Sequence, residues 1–340
     1  MNEESAYKRA GVDLRAGQEA TTLMLAAVQA TYGPQVLSDV GAFGGLFAVS
    51  ELKEMQAPVL VASTDGVGTK TMAAARSGRW DTIGQDIVNH CLNDILVQGA
   101  RPLFMLDYVA SAKLAPRQIA AVVAGVAQAC KEAEIALLGG ETAEMPGVYQ
   151  HGELDLVGTI VGVVEREKII NGSRIEAGDV ILGLPSSGLH TNGYTLARQA
   201  LDKLDWIQPR VELDGISIGE ALLIPHRSYL KQVLTWLDRE LDIRGLVHIT
   251  GGGLVDNPVR ILPENVDCVL RPAAWVVPPI FKLIQRQGVV SDVEMAHVFN
   301  LGLGMLVFLP ASQVEEARRL IPEAVQVGEV QVGTRIVRFK

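Results

Sequence analysis

Residues 58–70 read Pro58-Val59-Leu60-Val61-Ala62-Ser63-Thr64-Asp65-Gly66-Val67-Gly68-Thr69-Lys70. Six residues of strand-forming character run without a linker into two glycines, a carboxylate and a lysine. Glycine lets backbone N–H groups face an anion, and an aspartate beside it can hold a divalent cation. Open α/β sheets place their ligands at such strand ends. The stretch therefore predicts an α/β unit that handles phosphate, with Lys70 as a mobile positive charge. Its plain alternative is a glycine turn whose Asp65 and Lys70 are simply solvated.

Working outward, the first half alternates strands and helices. Asp81–Gln98 carries Ile83, Ile87, Cys91 and Ile95 near the helical period. Leu103–Ala110 reads as a strand and Pro116–Ala133 as a helix with proline in its first turn. Ile135–Leu138 reads as a strand ending in Gly139-Gly140-Glu141-Thr142, and Leu154–Val164 as a longer strand. The charged, turn-rich run after Val164 marks a boundary, which divides the chain into segments 1–168 and 169–340. The second half repeats the theme: Val180–Leu184 delivers Ser186-Ser187-Gly188-Leu189-His190-Thr191-Asn192-Gly193, and Val247–Thr250 ends in Gly251-Gly252-Gly253. Helices are expected at Tyr194–Leu201, Gly219–Glu240, Pro278–Gln287 and Gln313–Leu320, with a strand at Gly302–Leu309 and two short strands closing the chain.

Composition narrows the function. Of 340 residues, 48% are hydrophobic and 20% charged, which suits packed cores and excludes a disordered chain. A net charge of −9 argues against a nucleic-acid binder, which needs a basic face. Three dispersed cysteines, Cys91, Cys130 and Cys268, form no CxxC pair, so no disulfide framework or zinc knuckle is expected. No apolar run is long enough for a membrane span and the first residues lack a signal-peptide core, so a cytoplasmic protein is expected. No lysine follows a glycine, which removes the Walker A loop, and the GxGxxG fingerprint, GxSxG elbow and HExxH pair are missing too. Any ATP cradle here is of another kind.

Other constellations carry chemistry. Asp86, His90 and Asp94 stand at i, i+4 and i+8, flanked by Asn89 and Asn93, so one helix face is polar. A solvated face is the favoured explanation for His90, a functional one for Asp94 with Asn93. Glu141 and Glu144 after a glycine pair form a metal- or amine-binding loop, with a capping box as the competing explanation. His190, Thr191 and Asn192 before a helix suggest an anion site, to which N-capping by Thr191 or Asn192 would contribute. Gly251–Gly253, followed by Asp256 and Asn257, reads as a phosphate cradle. His151, His226 and His297 show no partner signal.

Taken together, YKRAGVD, STDGVGTK, CLNDILVQGARPLFMLDYVA, GGETAEMPG, SSGLHTNGYTLAR, HITGGGLVDN and FNLGLGM, in this order, resemble the phosphoribosylformylglycinamidine cyclo-ligase family. DGVGTK alone points only to the wider superfamily with selenophosphate synthetase and thiamine monophosphate kinase. The resemblance implies an α+β/α/β two-domain chain: an N-terminal mixed sheet with helices that binds ATP and pairs in a homodimer, and a C-terminal α/β sandwich that completes the cleft. It implies ATP and Mg²⁺ as cofactors and formylglycinamidine ribonucleotide as substrate. Carried over, Asp65 and Asp94 hold metal on ATP, with Asp256 on its second side. Gly66, Gly68, Thr69, Lys70 and Asn93 meet the phosphates, and His190, Lys70 and Asp94 are catalytic. Gly140, Glu141, Thr191, Asn192 and Gly251–Gly253 contact substrate. The chain departs from the family at Leu25, where a lysine is common, at His226, where a threonine is common, and at LVDN, where an aromatic segment is usual. The rivals are another ATP-dependent superfamily member and a non-catalytic nucleotide-binding partner.

Overall fold

The computed structural model describes residues 10–340; the Tyr7-Lys8-Arg9 start of the first family-like motif lies outside them. Two compact units emerge, residues 1–95 with 101–165 and residues 96–100 with 166–340.

In the first unit, helix α1 (Leu14–Gln29) is capped by Asp13, whose carboxylate accepts from the Arg15 and Ala16 N–H groups. Strand β1 (Pro58–Gly66) leads to α2 (Lys70–Ser77), which stops at Gly78 in the left-handed region. Helix α3 (Ile83–Leu96), β2 (Arg101–Ser111), α4 (Pro116–Glu132), β3 (Ala136–Glu144) and β4 (Leu154–Glu165) follow. The sheet order is β1-β4-β2-β3, with β2 and β3 parallel and the other pairs antiparallel. Helices α3 and α4 meet at glycines: a Cβ on Gly84 would lie 2.0 Å from the Val122 carbonyl oxygen. Along β1 burial alternates, and its outer residues stay open, Leu60 at 64% exposure.

In the second unit, β5 (Val180–Pro185), α5 (Tyr194–Leu201), α6 (Ile218–Leu222), α7 (Leu230–Asp238), β6 (Gly245–His248) and α8 (Gly253–Val259) come first. After them come β7 (Val266–Leu270), α9 (Pro279–Gly288), α10 (Asp292–Val298), β8 (Leu303–Leu309), α11 (Val314–Leu320), β9 (Val325–Val332) and β10 (Val337–Phe339). The mixed sheet runs β10-β7-β9-β5-β8-β6. Every residue of β8 is buried, as expected for an inner strand covered on both faces. Ile181, Leu306, Phe308, Cys268 and Val327 belong to the core built on it.

Two local expectations give way. The helix expected over Gly219–Glu240 is two helices with an irregular segment between them, because Pro225 lacks an N–H and disfavours helix just before it. A capping box between Ser217 and Glu220 makes the short α6 viable. The Gly139–Glu144 loop is strand: β3 pairs with β2 through Ser111 and Glu144, so ladder hydrogen bonds override the glycine signal. Strand β7 and helices α2, α8 and α10 have no counterpart among the elements expected from the sequence. All three cysteines are free and buried, and no helix among the described residues is long and apolar enough to cross a membrane.

Candidate active site

At the end of β1, Asp65 projects beside α3. The Gly66 N–H donates to Asp65 Oδ1 at 2.7 Å. His90 Nε2 lies 2.9 Å from Asp65 Oδ2 and 3.5 Å from Asp94 Oδ2, and the Ser63 hydroxyl is 3.3 Å from the same Asp94 oxygen. The solvated face expected for His90 is thus incorrect: the imidazole is 4% exposed and joins two carboxylates. Burial opposes its protonation, but the bond to Asp65 and the charges of Asp94, Asp65 and Asp86 prevail and hold its pKa above the ordinary value. Asp65 and Asp94 remain partly open to solvent, at 44% and 27%. Two accessible carboxylates with room for water are a donor set that fits Mg²⁺, which takes one or two carboxylates and completes its shell with water and phosphate.

The mobile lysine is a second correction. Lys70 opens α2 with its Nζ 2.7 Å from Asp86 Oδ1, and both side chains are fully buried. Burial lowers the ammonium's pKa, while the Asp86 charge works against that shift. Gly68, at φ +63°, shapes the turn, with open space where a Cβ would stand. Gly66 and Thr69 are both half-buried, and Asn93 is fully buried on α3.

Glu141 and Glu144 do not act as a pair. Three residues apart on a strand they face opposite ways, and Glu144 accepts from the backbone N–H groups of Asp13 and of Leu114, the latter at 2.9 Å. That carboxylate ties the start of α1 to the loop before α4. Glu141 is exposed, and Leu25 lies exposed on α1.

A cavity of about 490 Å³ in this unit is lined by Asp39, Phe43, Gly45, Asp107, Leu138 and Gly140, among others. A Cβ on Gly140 would fall 1.8 Å from Asp107 Oδ1, so the strand can approach only as glycine. Desolvation pushes the Asp107 carboxyl up from 3.8 to about 7. Between roughly pH 4 and 7 the folded chain therefore keeps a proton that the unfolded chain has released. Stability is expected to fall as pH rises through this window. Asp107→Asn is expected to remove that slope and to be the more stable form above pH 7. Urea unfolding of both proteins at pH 5 and 8 checks it, and equal slopes would refute it.

In the second unit, loop 186–193 is bound to Asn300, the second residue of the FNLGLGM motif. Ser186 Oγ lies 2.9 Å from Asn300 Oδ1, and the Asn300 amide donates to the Gly188 carbonyl at 2.8 Å. His190 is buried in the left-handed region at φ +61°, and the Ser187 N–H donates to its Nε2 at 3.2 Å. A neutral His190 accordingly carries its proton on Nδ1. Gly304 on β8 makes room for it: a Cβ there would meet the Tyr229 hydroxyl at 2.0 Å and His190 Cε1 at 2.5 Å. Thr191 and Asn192 do not cap α5. Its N-cap is Gly193, and Thr191 instead lies 3.2 Å from His226 Nδ1.

The triple glycine is held by Asn257, which accepts from the Thr250 N–H at 2.8 Å and donates to the Gly251 carbonyl at 3.0 Å. Gly252 and Gly253 both have positive φ, and a Cβ on Gly253 would lie 2.1 Å from the Ala296 carbonyl oxygen. Those two glycines thus have structural reasons. Gly251 is exposed, and a Cβ there would stand 3.5 Å from Asn192 Oδ1, so loop 186–193 and the glycine loop adjoin. Asp256 is 3.2 Å from His297 Nδ1, and His226 is fully buried 3.0 Å from His248. Two histidines for which no partner was expected therefore have one; His151 is exposed.

An acidic strand-end cluster lies in one mixed-sheet unit and glycine and histidine loops lie in the other, within a chain of two α/β units. Residues 48–164 match the family described as AIR synthase related protein, N-terminal domain, and residues 176–339 match its C-terminal domain. The chain belongs to this AIR synthase related family. It is 48% identical over 337 residues to the phosphoribosylformylglycinamidine cyclo-ligase of Alkaliphilus oremlandii, covering 97% of this chain and 98% of that one. It is 50% identical over 310 residues to the Desulfitobacterium hafniense protein of the same name, covering 91% of each. Thiamine-monophosphate kinase from Stenotrophomonas maltophilia shares the fold at TM-score 0.68 and 18% identity, with 94% of this chain and 96% of that chain covered. Hydrogenase maturation protein HypE in complex with ATP does so at TM-score 0.65 and 18% identity, covering 95% and 89%.

Proposed function

We propose that this protein is an ATP-dependent cyclo-ligase that converts formylglycinamidine ribonucleotide and ATP to aminoimidazole ribonucleotide, ADP and phosphate. The observation that carries this reading is near-half identity over nearly the whole chain to relatives of that name. An amide oxygen is a poor leaving group. In the proposed reaction the formyl oxygen attacks the γ-phosphorus and ADP departs. The amidine nitrogen then bonds to the activated carbon, the carbon–oxygen bond breaks to release phosphate, and the nitrogen loses a proton. Most of the acceleration is then positioning and charge neutralisation.

Asp65 and Asp94 are assigned to Mg²⁺, which when bound neutralises triphosphate charge. Gly66, Gly68, Thr69 and Asn93 are assigned to the ATP phosphates, and Lys70, through its pair with Asp86, to the support of that loop. In segment 169–340, His190, Thr191, Asn192 and Gly251 are assigned to the substrate, as is Glu141 of segment 1–168. The open face of β1 with Leu60 supports a homodimer that pairs N-terminal sheets.

The decisive experiment measures phosphate release from ATP with three acceptors. Release with formylglycinamidine ribonucleotide but not with thiamine monophosphate or selenide is expected. Release with either of the latter, or ATP binding without turnover, would overturn the proposal.

A further inference from the structure

Among the described residues of the second unit, His190, His226 and His248 offer ring nitrogens within 4.8 Å of one another, and all three rings are buried. Ring geometry decides what such a cluster does. A metal ion takes the lone pair in the plane of each ring, so its ligand rings must converge on one point. His190 and His226 are stacked, with centroids 4.0 Å apart and planes 22° from parallel, and His190 Nε2 accepts from the Ser187 N–H. Their lone pairs run side by side and do not converge.

His226 is engaged at both ends. Its Nδ1 lies 3.2 Å from Thr191 Oγ1 and its Nε2 lies 3.0 Å from His248 Nε2. An N···N contact this short is a hydrogen bond with one proton between the two rings. Two arrangements satisfy it when His226 is neutral. In one, His226 Nε2–H donates to His248 and its Nδ1 accepts from the Thr191 hydroxyl. In the other, His248 Nε2–H donates to His226, whose Nδ1–H donates to Thr191. In both, a single ring dictates where the Thr191 hydroxyl points and whether His248 Nε2 bears a proton.

We propose that His226 is a positioning residue that couples Thr191 to His248, so that the substrate meets one defined pattern of donors and acceptors. The inference rests on the cyclo-ligase reading and its assignment of Thr191 to the substrate. No covalent step is required of His226, since the ring only orients its two neighbours.

Two conservative variants each keep half of the chain of hydrogen bonds. An asparagine amide reaches the place of Nδ1 and a glutamine amide that of Nε2. His226→Asn should therefore retain the Thr191 contact and His226→Gln the His248 contact. Each is expected to lower kcat/KM for formylglycinamidine ribonucleotide about tenfold, the order of one well-placed hydrogen bond. KM for ATP should stay unchanged in variants that remain folded at the assay temperature, a selective loss that a merely structural role would not produce. In the full-length protein labelled with ¹⁵N-histidine, one downfield proton should correlate with Nε2 of both His226 and His248, and both variants should lose it. Variants within twofold of the parent, or two resolved rings without a shared proton, would overturn the coupling. A parent protein inert toward formylglycinamidine ribonucleotide would instead overturn the cyclo-ligase reading, and with it this role.

Discussion

Asp65→Asn and Asp94→Asn are each expected to lower turnover about 10²-fold or more, the cost of removing one preorganised charge contact from a developing transition state. Both carboxylates reach the same imidazole, His90, from different elements, β1 and α3, and both keep a solvent-facing surface. Asparagine preserves shape and the neutral oxygen but removes the charge that would hold a divalent cation. The concentration of Mg²⁺ needed for half-maximal rate should rise in each variant. Asp65→Asn should also lower the pKa of His90, because the hydrogen bond to Asp65 leads the contributions that keep it raised against burial. Steady-state phosphate release across a Mg²⁺ titration, with NMR titration of His90, checks both parts. Near-parental rates and Mg²⁺ dependence in the two variants would remove the metal assignment.

Periodicity and strand ends are legible in the sequence; coverage by distant residues is not. The i, i+4, i+8 spacing of Asp86, His90 and Asp94 alone sets them on one face of α3. It does not reveal that the face is covered, which is why His90 reads as solvated and Lys70 as mobile. Lys70 finds Asp86 across 16 residues, and Glu144 finds Asp13 across 131; no local pattern marks either pairing. The Gly139-Gly140 signal misleads for a related reason. Glycine here answers to Asp107 on the neighbouring strand, not to a turn. The one sequence signal at His226 is its replacement of a common threonine, since its partners Thr191 and His248 lie 35 and 22 residues away.

Lys70→Met is expected to destabilise the protein by about 3–5 kcal/mol, because it strands the Asp86 carboxylate in a site with no solvent exposure. The effect should be pH-dependent, with a sign that separates it from lost packing. Without its cation, Asp86 faces desolvation in a fully buried site, so its pKa must rise. Protonation then relieves the strain, and the penalty should shrink as pH falls below the new pKa. The double variant Lys70→Met with Asp86→Leu should recover most of the loss, since replacing a buried ion pair by apolar groups of similar volume is often neutral. Urea unfolding with an unchanged m-value provides the measurement. A single variant that costs less than about 1 kcal/mol, the range of exposed pairs, would show that the pair does not anchor the turn. If the stability prediction holds, Lys70 contributes to phosphate handling through the loop it fixes, and catalysis should fall in the single variant but return only partly in the double one.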